Sequence, residues 1–142
     1  MLWLLLFAVE DRAVVEFEVE PTISLEVLTK FVDFGEIDPG KDVEKRGAIR
    51  LRVKANTDWV LSFKVPEEFR DETGKIIPLD IMEWKLPDGE YRPLRKDENF
   101  DIAKGGPTEE KLITLDLKIR VGWEIGAGRF TVPFIFVLRA ND

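Results

Sequence analysis

The sequence predicts an all-β fold, an antiparallel β-sandwich of about eight or nine short strands. Apolar and polar residues alternate with a period of two in segment after segment. Turn residues, chiefly Gly, Pro, Asn and Asp, separate these segments, and no amphipathic helix of ordinary length interrupts them. A closed barrel is the alternative architecture that the same pattern allows.

The first two predicted strands cover residues 13–20 and 22–27, separated by Pro21, which cannot donate a ladder hydrogen bond. The predicted inward side chains are Val15, Phe17, Val19, Ile23, Leu25 and Val27. Glu16, Glu18 and Glu20 form an acidic row on the other face of the first strand. We expect this row to be a solvated strand face and not a cation site.

The central segment, residues 31–65, predicts a turn at Pro39-Gly40 followed by two strands joined by a short polar loop at 56–58. Trp59 opens the second of these strands on its apolar face, so we expect its ring to lie in the core. Arg50, Arg52 and Lys54 form a basic row on the first strand. We expect this basic row to lie beside the acidic row of residues 16–20.

Three features are predicted between residues 76 and 110. The alternation changes phase near Met82, which predicts a β-bulge within 77–86. Pro87-Asp88-Gly89 predicts a hairpin turn. Residues 97–110 show no clear periodicity, and we expect them to form the longest and most mobile irregular connection.

The strongest strand patterns cover residues 113–121 and 129–139, near the end of the chain. Ile135 and Val137 make the nominally wet face of the last strand apolar, which marks a candidate contact surface. Pro133 predicts that this strand is an edge strand or is bulged there.

Residues 1–12 form an N-terminal apolar segment, and residues 13–142 the β-sandwich domain. The apolar segment is too short to span a bilayer, and either a signal-peptide remnant or an extra strand fits it. We expect Leu2 to Val9 to pack on or pair beside the last strand, in the same chain or a neighbouring one. The candidate interaction residues are Leu4, Leu5, Leu6, Ile135 and Val137.

Composition excludes several functions. The net charge of −7 argues against nucleic acid and against anionic lipid as partners, because both require a basic surface. The chain contains no His and no Cys, which removes Ser-His-Asp triads and His- or thiolate-ligated metals. We therefore expect no catalysis, no metal site and no cofactor. The charged fraction of 35% is typical of thermophile proteins.

Three motifs together resemble a known class of domain. They are an FG-x-[IV]-x-PG turn at 34–40, an N-x-x-W-x-L pattern at 56–61 and an AG-x-F turn at 127–130. Over residues 23–139 the chain resembles immunoglobulin-like sandwich domains of bacterial and archaeal envelope proteins, of the WxL-like or spore-coat-U and pilin-like kinds. It departs from the pilin-type members in having no Cys, and its Trp59-Val60-Leu61 sequence lies inside a predicted core strand.

The resemblance implies an extracellular or cell-envelope location, with a cytoplasmic one still open. We expect a non-catalytic structural or protein-interaction module, with membrane contact only through an export signal. Its partner would be another protein or a second copy, bound by strand addition. The alternative is a carbohydrate-binding module that uses exposed rings of Trp84, Tyr91 and Trp123.

Overall fold

The structure is a computed structural model that describes residues 7–141. All of its longer elements are strands. The strands are β1 (Ile23–Val27), β2 (Asp42–Ala55), β3 (Trp59–Lys64), β4 (Phe69–Arg70), β5 (Ile76–Ile77), β6 (Met82–Lys85), β7 (Arg92–Pro93), β8 (Phe100–Gly105), β9 (Thr108–Arg120) and β10 (Ile135–Ala140). Two single-turn 3₁₀-helices cover Leu79–Ile81 and Trp123–Ile125.

The strands form two main antiparallel sheets that enclose a common core, so the predicted all-β sandwich is confirmed. The larger sheet has the order β1-β2-β9-β6-β7, and the smaller has the order β10-β3-β8. A separate two-stranded ribbon joins β4 to β5. Because β2 and β3 are consecutive but belong to different sheets, the turn at 56–58 carries the chain across the sandwich.

The core consists of the apolar side chains that alternate inward along β2, β3 and β9. Trp59 is 1% exposed, which confirms its predicted place in the core. Its indole Nε1 donates a hydrogen bond to the Gly106 carbonyl at 2.9 Å. The ring also lies against Gly105, where a Cβ would stand 3.0 Å from the ring, so this close approach requires a glycine.

The predicted strand over residues 13–20 is wrong. These residues belong to no strand and all of them are exposed. Alternation alone does not make a strand, because a strand also needs a neighbour to accept its hydrogen bonds. The expected pairing of acidic and basic rows therefore does not form. Arg52 instead lies 3.6 Å from Glu26, on the adjacent β1.

Two further expectations are corrected. The phase change before Met82 arises from the 3₁₀ turn Leu79–Ile81 between β5 and β6, and not from a bulge inside one strand. Residues 97–110 are not an irregular loop, because they contain β8 and the start of β9. Phe100 and Ile102 alternate inward on β8, and β3 supplies the partner strand.

Two turn and edge predictions agree with the structure. Residues 86–89 form the turn between β6 and β7, closed by a 2.9 Å hydrogen bond from the Gly89 N–H to the Leu86 carbonyl. The last strand is an edge strand, as Pro133 predicted, but it begins only at Ile135.

Replacing Trp59 by Ala should lower the free energy of unfolding by about 3–5 kcal/mol, because it removes a large buried ring and a buried hydrogen bond. Trp123→Ala is the matched control, since Trp123 is 79% exposed, and should cost less than about 0.5 kcal/mol. Urea denaturation of both variants measures the difference. Equal losses would contradict the assignment of Trp59 to the core.

Candidate interaction surface

Strand β10 is a regular, open edge strand. It pairs with β3 from Ile135–Lys64 to Ala140–Trp59 with no register shift. Within residues 7–141, no strand pairs with its other side. An edge of this kind presents unpaired backbone N–H and C=O groups that can pair with another extended segment.

The core is incompletely covered beside β10. Strand β1 ends the larger sheet on the same side and contacts β10 across the sandwich. The inward side chains of both edge strands pack on the core but are only half-buried. They are Ile23, Leu25 and Val27 on β1, and Phe136 and Leu138 on β10. On β3, by contrast, Leu61 and Phe63 are fully buried. One more strand beside β10 would cover the exposed parts of these five side chains, a surface that we call the lateral opening.

The outer face of β10 is apolar as well. Ile135 is 41% exposed and Val137 39% exposed, where a strand face in water would usually carry polar residues. The neighbouring side chains on that face include Lys64, opposite Ile135, and Arg139 at the far end of β10. The predicted contact residues Ile135 and Val137 therefore lie together in an apolar strip flanked by positive charge.

The opposite edge of the smaller sheet differs from β10. Strand β8 has a register shift against β3 between Leu61 and Ser62, and its exposed side chains include Asp101 and Lys104. Bulges and charged side chains are devices that prevent pairing at an edge. The two edges of one sheet are thus not equivalent, because β10 lacks the register shift that β8 has.

Residues 7–20, which we call the N-terminal arm, lie exposed along their whole length. The alternating apolar residues Val15, Phe17 and Val19 are 88%, 83% and 68% exposed. Large apolar side chains in such an uninterrupted row are uncommon on a monomeric protein surface and mark a contact site. The arm therefore offers a segment that pairs with no strand among the described residues.

The base of the arm is anchored by Asn56, in the turn between β2 and β3. Its side-chain Nδ2 donates to the Glu20 carbonyl at 2.8 Å, and its Oδ1 accepts from the Thr22 N–H at 2.6 Å. The Asn56 backbone N–H also donates to the Thr22 carbonyl at 3.1 Å. These three hydrogen bonds, which we call the Asn56 anchor, fix the direction in which the arm leaves the domain.

The candidate residues Leu4, Leu5 and Leu6 lie outside the described residues. Phe7 and Val9, in the same predicted segment, are 77% and 89% exposed. For residues 7–9, packing on β10 of the same chain is therefore not observed. Packing on a neighbouring chain stays a prediction.

The three candidate ligand aromatics lie in different environments. Trp84 is buried, 4% exposed, and its ring packs edge-on against Phe63 at a centroid distance of 4.9 Å. Tyr91 is half-buried, with the Lys118 ammonium 4.5 Å from its ring centroid. Of the three, only Trp123 presents a free ring. They do not form a shared platform for a sugar.

Tyr91 belongs to a polar network on the outer face of the larger sheet. Its hydroxyl donates to Glu44 Oε2 at 2.6 Å. Burial raises the pKa of Tyr91 well above its ordinary value, and the hydrogen bond to Glu44 acts in the same direction. The hydrogen bonds from Tyr91 and Arg46 lower the pKa of the Glu44 carboxyl. Both shifts favour a neutral phenol donating to an ionised carboxylate.

Asp116 is the buried charge of this network, and the sequence did not single it out. It is 5% exposed, and its Oδ2 lies 3.1 Å from Lys85 Nζ on the neighbouring β6. Its Oδ1 accepts a 2.6 Å hydrogen bond from the Gly47 N–H, where β2 is bulged and Gly47 has a φ of 62°. Asp116 therefore stabilises the bulge that interrupts the β2–β9 ladder, which is a structural role.

Neither a protein-family model nor a curated protein sequence matches this chain. Residues 7–141 contain no helix long and apolar enough to cross a membrane. The same residues contain no group of three or more acidic side chains arranged to hold a metal ion. The geometry of β10 and of the arm thus carries the functional argument.

Replacing Asp116 by Ala should destabilise the fold by about 2–3 kcal/mol, because it leaves Lys85 and the Gly47 N–H without their partner. Asp116→Asn should cost less, since the amide oxygen can still accept from Gly47. The control is Asp42→Ala, whose exposed pair with Arg120 should contribute less than about 1 kcal/mol. Thermal and urea melts compare the three. A loss for Asp116→Ala no greater than that of the control would contradict this role.

Proposed function

We propose that the protein is a non-catalytic interaction module, secreted or in the cell envelope, that binds a protein partner by strand addition to β10. The observation that carries this proposal is the open, regular edge of β10 beside the lateral opening. Backbone groups of β10 would pair with the added strand, and its inward side chains would complete the core.

The apolar contribution to such binding is substantial. Fully burying one Val or Phe side chain contributes about 1.5–3 kcal/mol. An added strand would place every second side chain into the lateral opening, against Phe136, Leu138 and Leu25. It would also cover these half-buried residues, so both partners lose exposed apolar area.

The charges around β10 select the kind of strand that fits. Lys64 and Arg139 flank the apolar strip on the outer face. Arg139 also lies 3.5 Å from Asp101, but both side chains are more than half exposed, so this pair is weak. A strand with alternating apolar and acidic residues would bury its apolar side and place its carboxylates near the two cations.

The absence of His and Cys from the sequence supports a function without catalysis. The resemblance of the turn motifs to envelope sandwich domains supports the proposed location. The high charged fraction supports a thermophilic source. A carbohydrate-binding function has less support, because Trp84 is buried and Trp123 presents a lone ring.

Panning a library of random dodecapeptides on the full-length protein should enrich peptides with alternating apolar and acidic residues. These peptides should bind the wild-type protein but not Val137→Glu, because the new carboxylate would lie beside the acidic row of the added strand. Titration calorimetry with the enriched peptides measures the effect.

The matched control is Leu112→Glu, which changes another half-exposed apolar strand residue, on β9 of the other sheet. It should bind the peptides as the wild type does. Enrichment of peptides without this alternation, or equal binding to Val137→Glu, would contradict strand addition at β10.

A further inference from the structure

We propose that the strand added to β10 is residues 13–20 of a second copy of this chain. This inference rests on the proposed function and names its partner. The donor is the apolar and acidic part of the N-terminal arm, and the acceptor is β10 with the lateral opening.

The arm has the alternation of apolar and acidic residues that we expect of a strand bound to β10. Val15, Phe17 and Val19 recur at every second residue, so in an extended segment they lie about 6.8 Å apart on one face. This spacing matches the inward residues of β10, which also recur at every second position. The alternating residues that follow Val15 are Glu16, Glu18 and Glu20, and they would face the outer side of β10, near Lys64 and Arg139.

The lengths also agree. Residues 13–20 are eight residues in an exposed, unpaired stretch, and β10 has six. Three apolar side chains would pack against the half-buried Phe136 and Leu138 on one sheet and against β1 on the other. The added strand would therefore leave neither half of β10 uncovered.

The Asn56 anchor directs the arm to another molecule. Ile23 pairs with Ala55 and Ala140 pairs with Trp59, so the start of β1 and the end of β10 lie at the same end of the sandwich. The anchor holds Glu20 and Thr22 as a continuation of β1 past this end. To reach its own β10, the arm would have to reverse direction at this end of the sandwich.

Every copy carries one donor and one acceptor, and this determines the possible assemblies. Two copies that exchange arms reciprocally form a closed dimer, whereas one-way donation continues into a chain of copies. In both cases the junction is the same, and the mass in solution rises with concentration. Each junction buries the arm that is otherwise exposed.

Sedimentation velocity of the full-length protein over a range of concentrations should show species of at least twice the 16.4 kDa of one chain. Phe17→Asp should weaken this association by more than about tenfold, because it places a carboxylate in the apolar opening. Trp123→Asp is the matched control, since Trp123 lies outside the arm and is exposed to nearly the same extent as Phe17. It should associate as the wild type does.

Charge at β10 provides a second comparison. Val137→Glu should weaken association, whereas Val137→Lys should preserve or strengthen it, because its ammonium would lie beside Glu16, Glu18 or Glu20. Leu112→Glu should leave association unchanged. Residues 17, 112 and 137 are all exposed to a large extent, so none of these variants should unfold the domain, which a thermal melt checks.

Mixing variants tests whether donor and acceptor lie on different copies. Phe17→Asp keeps an intact β10, and Val137→Glu keeps an intact arm. Each alone should be monomeric, while an equimolar mixture should form a heterodimer that contains one labelled variant of each kind.

A wild type that stays monomeric at every concentration, or a Phe17→Asp variant that associates as the wild type does, would overturn this inference. So would a mixture that gains no mass over its separate variants. If the library peptides still bind β10 in either case, the proposed function stands and only the identity of the added strand is wrong. If the peptides do not bind β10 but the arm-dependent association is present, strand addition is limited to this chain's own segment.

Discussion

The ladder between β2 and β9 is the interaction on which the rest of the structure depends. These are the longest strands, and they pair from Asp42–Arg120 to Ala55–Thr108 in the centre of the larger sheet. Their inward residues, among them Leu51, Val53 and Leu115, are fully buried. They form the inner face of the larger sheet, against which β3 packs. The ladder is interrupted at Gly47, and the Asp116 carboxylate supplies the hydrogen bond that the bulged backbone lacks. One buried charge therefore stabilises the bulge in the longest strand pair of the sandwich.

Local sequence pattern was sufficient to predict much of this fold. Period-two alternation identified β2, β3 and β9. It also placed Trp59 on the correct face, because the apolar positions of that alternation are the ones that the core buries. Turn chemistry identified the β6–β7 hairpin for a similarly local reason, because a Pro-Asp-Gly sequence favours the turn without help from distant residues. The edge position of β10 followed from Pro133, which cannot donate to a ladder.

The predictions that failed concerned segments whose structure depends on which other strand lies beside them. Residues 13–20 have an ideal strand pattern, yet none of the residues 7–141 pairs with them in a ladder. Residues 100–105 have a weak pattern, yet they form a strand because β3 offers an edge. Asp116 is a charged residue in the apolar alternation of β9, and only its pairing with Lys85 on β6 shows why that position is buried. The sequence indicated Ile135 and Val137 as part of the interaction surface. It did not indicate the lateral opening, because that surface combines side chains of β1 and β10, which are far apart in the sequence.

The Asn56 anchor has a mechanical consequence for any assembly that holds the arm. A pull on the arm acts along the axis of β1, which is paired with β2 over five consecutive residues. Tension applied in this direction loads those hydrogen bonds in shear, so that they must break together and not one after another. Because Asn56 ties the arm to the turn between β2 and β3, the same force is also distributed to both sheets. The base of the arm would then resist stretching through the β1–β2 ladder as well as through the three hydrogen bonds of the anchor.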